Sequence, residues 1–478
     1  YNHMETDGWA DNNYDGPPQQ PATRIEEDLA SEDNDSYRIA LRWTPTESLS
    51  FDYSYDKTDN EGVPAPFQIV KVHDRAYLWD GTQSQTPVDY QFLGGALFQQ
   101  MAATVGDPED RRDDYELDAV TTEWLEVEGH SFTAAWDVTD SVTLKYIYGK
   151  RETDSGYEST DLDGGAYTAR DLLYGVYQGN NNPIPVSGFV AAIDKGIIEM
   201  DSHEFQLIGT AFDERLHYTG GLFYYEEETE QDNPQSFVYP IPFLTPRGAN
   251  TPGLGPLYNA AGFCPPQFGG VVCPGTQRLP FIPPVAADPY ILGLSDFNYG
   301  QQAESWAAYG QTTYAVTEQF DLTLGIRYTE DEKEAFLYTQ TIPVNPITGE
   351  VYSKDSPITA DDKWDNISYK INGNYAITDD VSVYLTYATG YNGGGFGARA
   401  SNVLAFQTPF EEEEVETWEL GLKSEFWDNR VRFNAAIFTN DYTDIQIAQF
   451  EAGSGGASSR IVNAGQGTYE GFEFDLVV

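Results

Sequence analysis

A period-two alternation of apolar and polar side chains recurs along this chain and limits what it can fold into. Residues 320–328 read FDLTLGIRY, and similar alternation occurs at 49–56, 142–149, 381–387 and 472–476. Successive residues of a β-strand point to opposite faces of its sheet, so each segment predicts a strand with one apolar and one polar face. Several runs reach the length of about 9 to 11 residues with which a tilted strand crosses a bilayer.

The connections between these segments are alternately very short and very long. Short links rich in Asp, Glu, Asn or Thr tolerate tight turns through local side-chain hydrogen bonds, whereas repeated connections of more than about 15 residues are uncommon in compact soluble domains. The short links are residues 45–47, 139–140, 213–215, 317–319, 378–380 and 428–430; the long ones are 57–127, 152–200, 230–299, 339–362, 392–412 and 448–458. Together they predict an all-β fold, a large antiparallel transmembrane β-barrel with long extracellular loops over short periplasmic turns.

The composition is compatible with a barrel and excludes a helical membrane protein. Although 40% of the residues are hydrophobic, no apolar run approaches the about 18 residues of a transmembrane helix. A barrel needs no such run because only the lipid-facing half of each strand must be apolar. Aromatic residues make up 14% of the chain and include 33 tyrosines. They suit the aromatic girdles of a barrel, but Tyr-rich soluble β-proteins share this feature.

The chain is strongly acidic, with a formal net charge of −51 from 77 acidic and 26 basic residues. Nucleic acid is therefore excluded as a partner, because phosphate binding requires clustered Lys and Arg. An acidic surface attracts cations through its long-range field, or it is simply hydrated. The hydrated surface is the favoured interpretation, also for the densest run at 411–414.

The two cysteines, Cys264 and Cys273, lie close together in a Pro/Gly-rich stretch of a long predicted outer loop. The even count and the loop position favour a disulfide in an oxidising compartment such as the cell surface. A zinc pair is the alternative, but no histidine lies near either thiol to complete a ligand set.

Motifs for enzymes, metals or cofactors are not recognisable, so no catalytic residue, metal site or cofactor is expected. The histidines are His3, His73, His130, His203 and His217. They show no metal-ligand spacing, and for His203 and His217, on predicted strands, a lumen-facing hydrogen-bonding role is favoured over ligation. Asp161 and Asp163 resemble part of a calcium loop without its downstream Glu, which favours a surface turn. The glycine clusters at 393–395 and 453–456 lack the following helix and Lys of a phosphate-binding loop.

Several stretches resemble TonB-dependent outer-membrane receptors. They are residues 38–46, 203–225, 306–333 (WAAYGQTTYAVTEQFDLTLGIRYTEDEK), 384–396 (YLTYATGYNGGGF), 416–427 (ETWELGLKSEFW), 429–446 (NRVRFNAAIFTNDYTDIQ) and 463–474 (NAGQGTYEGFEF). These stretches occur in order and cover most of the predicted strands, which makes the set far more specific than any one of them.

The resemblance implies a barrel of about 22 strands closed by a separate N-terminal plug. We count about 13 or 14 strands over residues 1–478, which corresponds to a barrel portion of such a protein. Nothing similar to the plug, the short N-terminal box that TonB grasps, a signal peptide or the family's terminal strands can be recognised. We therefore expect the chain to be a fragment, because an open sheet in a bilayer would leave backbone groups unpaired.

The resemblance implies active nutrient uptake across the outer membrane of a Gram-negative cell, without catalysis. A ferric siderophore or another iron complex is the leading ligand, and oligosaccharide, cobalamin or haem are alternatives. A passive porin and a soluble surface β-protein are the other classes considered. The implied partners are outer-membrane lipid, lipopolysaccharide, the nutrient, and the TonB–ExbB–ExbD complex acting through the plug. Within the matched stretch 384–396 and just beyond it, Tyr391, Asn392, Phe396 and Arg399 become candidates for ligand contact.

Overall fold

The computed structural model of the chain is all-β. It describes residues 1–15, 26–71, 75–79, 85–89, 101–161, 164–171, 184–186, 190–233, 235–240, 289–295, 297–339, 353–400, 402–427, 430–453 and 456–478. The strands are β1 (Asn2–Thr6), β2 (Ala10–Asn12), β3 (Asp28–Leu29), β4 (Glu32–Thr46), β5 (Leu49–Gly62), β6 (Arg75–Trp79), β7 (Gln85–Asp89), β8 (Asp114–Tyr115), β9 (Glu123–Thr139), β10 (Val142–Asp161), β11 (Tyr167–Asp171), β12 (Ile184–Val186), β13 (Val190–Ala211), β14 (Leu216–Asp232), β15 (Gln235–Pro240), β16 (Pro289–Ser295), β17 (Phe297–Ala315), β18 (Phe320–Thr339), β19 (Ile358–Thr378), β20 (Val381–Asn392), β21 (Glu413–Phe426), β22 (Val431–Thr443), β23 (Gln446–Gly453), β24 (Gly456–Asn463) and β25 (Gly467–Val477). A short helix, α1 (Val403–Gln407), lies between β20 and β21.

Within the described residues, fourteen strands pair antiparallel with their neighbours to form one large sheet. Their order is β1, β4, β5, β9, β10, β13, β14, β17, β18, β19, β20, β21, β22 and β25. The short strands β11, β12, β15 and β16 extend it to 18 strands. The predicted all-β class and the count of about 13 or 14 barrel strands are therefore confirmed.

The predicted short links join consecutive long strands in hairpins, and all but 428–430, of which residues 428 and 429 lie outside the described residues, are described as turns. The turns join β4 to β5, β9 to β10, β13 to β14, β17 to β18, β19 to β20 and β21 to β22. Three of them are closed by a threonine hydroxyl at the end of the first strand or in the turn that follows it. Thr139, Thr317 and Thr378 accept hydrogen bonds from a backbone amide two residues further on, at 3.2 to 3.3 Å. Such local bonds explain why Thr and Asp suit these positions.

One face of the large sheet carries the apolar alternating residues, and these side chains are exposed. Residues directly opposite each other in a ladder point to the same side of a sheet. The ladders place Leu385 opposite Leu420, Leu420 opposite Ile437, and Ile437 opposite Phe472. Ile326, on the same face, is 60% exposed and Phe472 is 76% exposed. We call this side the lipid face and the opposite side the inner face.

The exposure of the lipid face excludes the soluble alternative. Two stacked sheets would interleave their apolar side chains in a dry core about 10 Å thick. Apolar residues of the long strands instead remain open over much of the sheet, at Leu144, Phe205, Leu222, Ile326, Ile367, Tyr369, Leu385, Trp418, Leu420, Ile437, Phe472 and Phe474. A continuous apolar face of this size is the surface that a barrel presents to lipid tails. The described helices include none that is long and apolar enough to span a membrane.

The long strands continue beyond the alternating segments, so the predicted long connections begin too early. Strands β10, β13, β18 and β19 contain 20, 22, 20 and 21 residues, about twice the length that a bilayer requires. In β14, for example, the pairing with β13 runs unbroken through the acidic stretch 226–230. Beyond the bilayer both faces of a strand meet water, so the alternation disappears while the backbone pairing continues.

The buried apolar residues of the described chain gather mainly in two clusters, both at the strand ends remote from the hairpin turns. The first contains Ala10, Leu29, Val63, Tyr115, Leu117 and Val120. It is held together by Asn12, whose side chain bonds the carbonyl and the amide of Leu117 at 2.9 and 2.8 Å. The second contains Phe297, Ala335, Leu337, Ile358, Ala360, Trp364, Phe396, Val403 and Phe406.

We expect Ile326→Arg to destabilise the protein in a bilayer by about 2 to 4 kcal/mol, because it places a charge near the middle of the lipid face. Gln311→Arg, on the inner face opposite Gly325, should change stability by no more than about 0.5 kcal/mol. Urea titration of the full-length protein refolded into phospholipid vesicles measures both values. Equal stability of the Ile326→Arg variant and the wild type would contradict the assignment of the two faces.

Candidate functional site

The candidate site is a column of polar side chains on the inner face of β18. Arg327, Thr329, Asp331 and Lys333 occupy alternate positions and therefore point to the same side of the sheet. They continue the polar half of the alternation that places Ile326 on the lipid face. We call these four residues the β18 column; it rises from mid-strand toward the end that carries the long loops.

Arg327 is held between two aromatic rings. Its guanidinium carbon lies 5.4 Å from the ring centre of Phe223 and 5.6 Å from that of Tyr309. Its Nε donates a hydrogen bond of 3.0 Å to the hydroxyl of Thr329, and the Tyr309 hydroxyl donates to the carboxylate of Glu204. The contacts with the two rings restrict the position of the planar guanidinium and leave its other N–H groups available to an anionic partner.

The upper half of the column is bonded to the end of β20 and to the chain that follows it. The hydroxyl of Tyr391 donates a hydrogen bond to the carboxylate of Asp331. The ammonium of Lys333 donates to the carbonyl of Gly394 at 2.7 Å and lies 5.8 Å from the ring centre of Trp364. These bonds connect the inner face of β18 to the end of β20 and to residues 393–412, which we call the folded segment.

The folded segment closes on itself and leaves no room for side chains at its start. The backbone groups of Gly395 and Phe410 exchange two hydrogen bonds of 3.0 and 2.9 Å. A Cβ atom at Gly394 would overlap the carbonyl of Phe410 and the ring of Trp364, so only glycine fits there. The glycine cluster 393–395 therefore serves close backbone packing.

Apolar side chains anchor the folded segment to β17, β18 and β19. Phe396, Val403 and Phe406 are buried in the second cluster, where Phe396 lies edge-on to Trp364 at a centroid distance of 6.3 Å. Helix α1 is capped at its N-terminus by Asn402, whose side chain accepts the amide hydrogen of Ala405 at 2.9 Å. The short helix presents its buried residues, Val403 and Phe406, to the strands.

Arg399 ties the folded segment to the adjacent strands. Its Nη2 donates to the side chain of Asn233 at 2.9 Å, and its guanidinium carbon lies 4.2 Å from the ring centre of Phe297. Burial lowers the pKa of Arg399 below its usual value, while the carboxylate of Asp194 opposes this shift.

The four candidate ligand contacts lie together but in different surroundings. Tyr391 faces the β18 column, and Asn392 is exposed, with its amide donating to the side chain of Gln446 at 3.1 Å. Phe396 is 5% exposed, and Arg399 is bonded as described above. Their contact with a ligand stays a prediction, with Tyr391 and Asn392 the better placed of the four.

Sequence reasoning missed Arg327, Tyr309 and Glu204, which come from three different strands. Tyr309 lies opposite Arg327 in the ladder between β17 and β18, but nothing in the sequence fixes that register. The available signal was the alternation at 320–328, which already places Arg327 on the polar face. Cys264 and Cys273 lie outside the described residues, so their disulfide also stays a prediction.

The prediction that His203 faces the lumen is wrong. The ladders place His203 opposite Tyr148 and Tyr224, in phase with Phe205 on the lipid face. Its Nδ1 lies 2.8 Å from the hydroxyl of Tyr146, so the ring is hydrogen-bonded at the edge of the aromatic girdle. His217, opposite Thr210, is on the inner face. No group of three or more His, Cys, Asp or Glu side chains in the described part of the chain is placed to hold a metal ion.

Comparison with known families shows to which protein family the chain belongs. The model of the family described as TonB dependent receptor-like, beta-barrel matches residues 67–478. The chain belongs to this family. Its members are receptors of the Gram-negative outer membrane and are not enzymes.

The relatives of this TonB-dependent receptor barrel are distant. It is 26% identical over 208 residues to the probable TonB-dependent siderophore receptor PiuA of Acinetobacter baumannii, a match covering 42% of this chain and 24% of PiuA. It is 30% identical over 173 residues to the pesticin receptor of Yersinia enterocolitica, covering 36% of this chain and 23% of that protein. The crystal structure of the ferric yersiniabactin uptake receptor FyuA from Yersinia pestis superposes with a TM-score of 0.55 at 14% identity. That superposition covers 99% of this chain and 52% of FyuA, so the chain spans about half the length of this structural relative.

We expect Phe406→Ala to loosen the folded segment, because it leaves a cavity at a side chain that is 0% exposed. The substitution should lower the free energy of local unfolding of the segment by about 3 to 5 kcal/mol. Leu404→Ala is the matched control in the same helix, since Leu404 is 72% exposed. Hydrogen exchange measured by mass spectrometry over residues 393–412 should accelerate only in the Phe406 variant. Equal exchange in both variants would show that α1 does not anchor the segment.

Docking of the folded segment should strengthen as the pH falls. Burial raises the pKa of Glu412 above its usual value, and the carboxylates of Glu411, Glu414 and Asp365 add to the shift. A raised carboxyl pKa means that the docked state binds the proton more tightly, so stability increases as the pH falls toward that pKa and decreases above it. Exchange rates corrected for intrinsic pH dependence, between pH 7 and pH 5, measure the effect. Glu412→Gln should reduce the pH dependence of the corrected exchange rates. A pH dependence equal to that of the wild type would show that Glu412 does not control docking of the segment.

Proposed function

We propose that this barrel belongs to an outer-membrane receptor for TonB-dependent uptake of a ferric siderophore. The observation that carries the proposal is the relationship to PiuA, whose name describes a probable TonB-dependent siderophore receptor, together with the family match. The lipid face and the long strands supply the wall of a passage, and the inner face supplies polar side chains along it. Energy would come from the TonB–ExbB–ExbD complex acting through a plug domain in the rest of the receptor.

The chemistry of the β18 column supports an anionic iron complex as the ligand. Ferric iron is a hard cation, so its chelators bind it through anionic oxygen atoms, and many of the resulting complexes keep a negative charge. Arg327 offers a guanidinium already fixed between Phe223 and Tyr309, which lowers the entropic cost of binding such oxygens. The rings add a flat apolar surface for an aromatic or aliphatic chelator.

Tyr391 and Asn392 extend this surface toward the exterior. Tyr391 lies at the top of β20 with its hydroxyl on Asp331, and the exposed Asn392 follows it. A ligand entering between the long loops would meet these two side chains before it reached Arg327. We assign them to initial recognition and Arg327 to binding deeper in the passage.

Uptake of ⁵⁵Fe by cells lacking the chromosomal gene tests the proposal. The full-length receptor, expressed from a plasmid under iron limitation, should restore uptake of at least one ferric siderophore, and removal of TonB should abolish it. Uptake that persists without TonB would indicate a passive porin. If a panel of catecholate, hydroxamate and mixed ferric siderophores gives no restored uptake, the proposed ligand class is wrong.

We expect Arg327→Gln to weaken binding of the transported ferric siderophore about 10-fold to 100-fold, which corresponds to loss of about 1.5 to 3 kcal/mol from a charged hydrogen bond. Arg42→Gln is the matched control, because Arg42 lies on the inner face of β4 and pairs with Asp52 far from the column. Binding to cells at 4 °C gives the affinity, and heat-modifiable migration on a gel checks folding. An equal loss of affinity in both variants would show that Arg327 does not bind the siderophore.

A further inference from the structure

A groove of about 650 Å³ opens on the lipid face, where β9, β10, β13, β14 and β17 lie side by side. Trp136, Phe205 and Leu222 are among the large side chains that line it. Gly220 and Ala308 line it as well. Gly220 lies opposite Leu207 on β13 and Gly310 on β17, and Ala308 lies opposite Leu222 on β14. A Cβ atom at Gly220 would approach only the carbonyl of Tyr309, at 3.6 Å, so the space above this glycine is open. The groove therefore results from small residues within a wall of large ones.

The depth of the groove places it in the half of the bilayer next to the hairpin turns. Every lining residue lies in the turn-proximal half of its strand. Gly220 follows Arg215 by five residues, which is about 17 Å along a strand and about 12 Å in depth at a tilt of about 45°. One leaflet of the hydrocarbon core is about 15 Å thick. In a barrel with periplasmic turns this is the periplasmic leaflet, which contains phospholipid, whereas lipopolysaccharide occupies the outer one.

The guanidinium of Arg215 lies at headgroup level, on the side of the groove next to the hairpin turns. Arg215, in the turn between β13 and β14, donates from Nε and Nη2 to the carbonyl of Ala315 at 3.2 and 2.8 Å, and from Nη2 to the carbonyl of Val316 at 3.0 Å. Its guanidinium carbon lies 5.2 Å from the ring centre of Tyr314. These partners are two carbonyl groups and a ring, all neutral, and no carboxylate of the described residues lies at ion-pair distance from Arg215. The guanidinium is thus held in place with its charge available.

Besides Tyr314, the aromatic residues Tyr218 and Trp136 lie on the lipid face near the hairpin turns. Tyr314 is opposite Leu216, and Tyr218 lies across Gly209, whose Cβ position its hydroxyl would overlap. With Trp136, which is 50% exposed and also lines the groove, they form the aromatic girdle expected at a membrane interface. The girdle fixes the height at which a phosphate group would lie next to Arg215.

We propose that the groove binds one phospholipid of the periplasmic leaflet, with an acyl chain over Gly220 and Ala308 and the phosphate on Arg215. Both parts are needed for a retained lipid. The groove provides more buried apolar surface per chain than the flat neighbouring wall, and the guanidinium pairs with phosphate as a fixed, always charged donor. The site is separate from the β18 column and does not depend on which nutrient the receptor transports.

Native mass spectrometry of the full-length receptor tests the proposal after a delipidating detergent wash. The wild type should retain one phospholipid per protein. Gly220→Leu, which fills the groove, should lower the lipid-bound fraction at least about tenfold, and Arg215→Gln should lower it several-fold, in line with loss of a charged contact. Leu385→Trp adds bulk to the lipid face of β20, away from the groove, and should retain the lipid.

Heat-modifiable migration of each variant establishes that the barrel has folded. Ala308→Leu is a second filling variant, so the test does not depend on Gly220 alone. A wild type that keeps no lipid, or filling variants that keep as much as the wild type, would overturn the proposal. An adduct with the mass of lipopolysaccharide in place of phospholipid would overturn the leaflet assignment.

Discussion

Backbone hydrogen bonding between neighbouring strands is the interaction on which the rest of this structure depends. Within a bilayer no water satisfies the N–H and C=O groups, so a spanning chain must pair them internally. The antiparallel ladders do so over long distances; the ladder between β17 and β18 runs unbroken from Phe297 opposite Thr339 to Ala315 opposite Asp321. The two faces of the sheet are then free to meet different surroundings.

The ladders also explain why binding groups from distant parts of the chain meet on the inner face. Pairing brings Tyr309 beside Arg327, and pairing of β13 with β14 brings Glu204 beside Phe223. The strands form a rigid support, and the folded segment covers its loop end through Phe396 and Phe406. The ammonium of Lys333 donates to the backbone carbonyl of Gly394 in that segment, so the β18 column and the folded segment are directly connected.

The lipid face is organised by depth. Near the hairpin turns, Trp136, Tyr218 and Tyr314 form a girdle with Arg215, and apolar side chains follow above them. Farther up, tyrosines pair with His130 and His203, and beyond these the strands become acidic on both faces. This order follows the polarity of a membrane from headgroup to hydrocarbon and back to water. The acidic strand ends account for much of the high negative charge of the chain.

The sequence by itself determined the fold class, the lipid and inner faces, and the hairpin turns. Each of these is a local property: alternation at 320–328 needs only neighbouring residues, and Thr317 closes its turn through bonds to the next few amides. It already placed Arg327 on the polar face. Only the tertiary structure decided the length of the strands, because a strand wet on both faces carries no periodic signal. It also decided the partners of Arg327, the role of Gly394 and the lipid groove, because strand register and loop packing join residues that lie far apart in the chain.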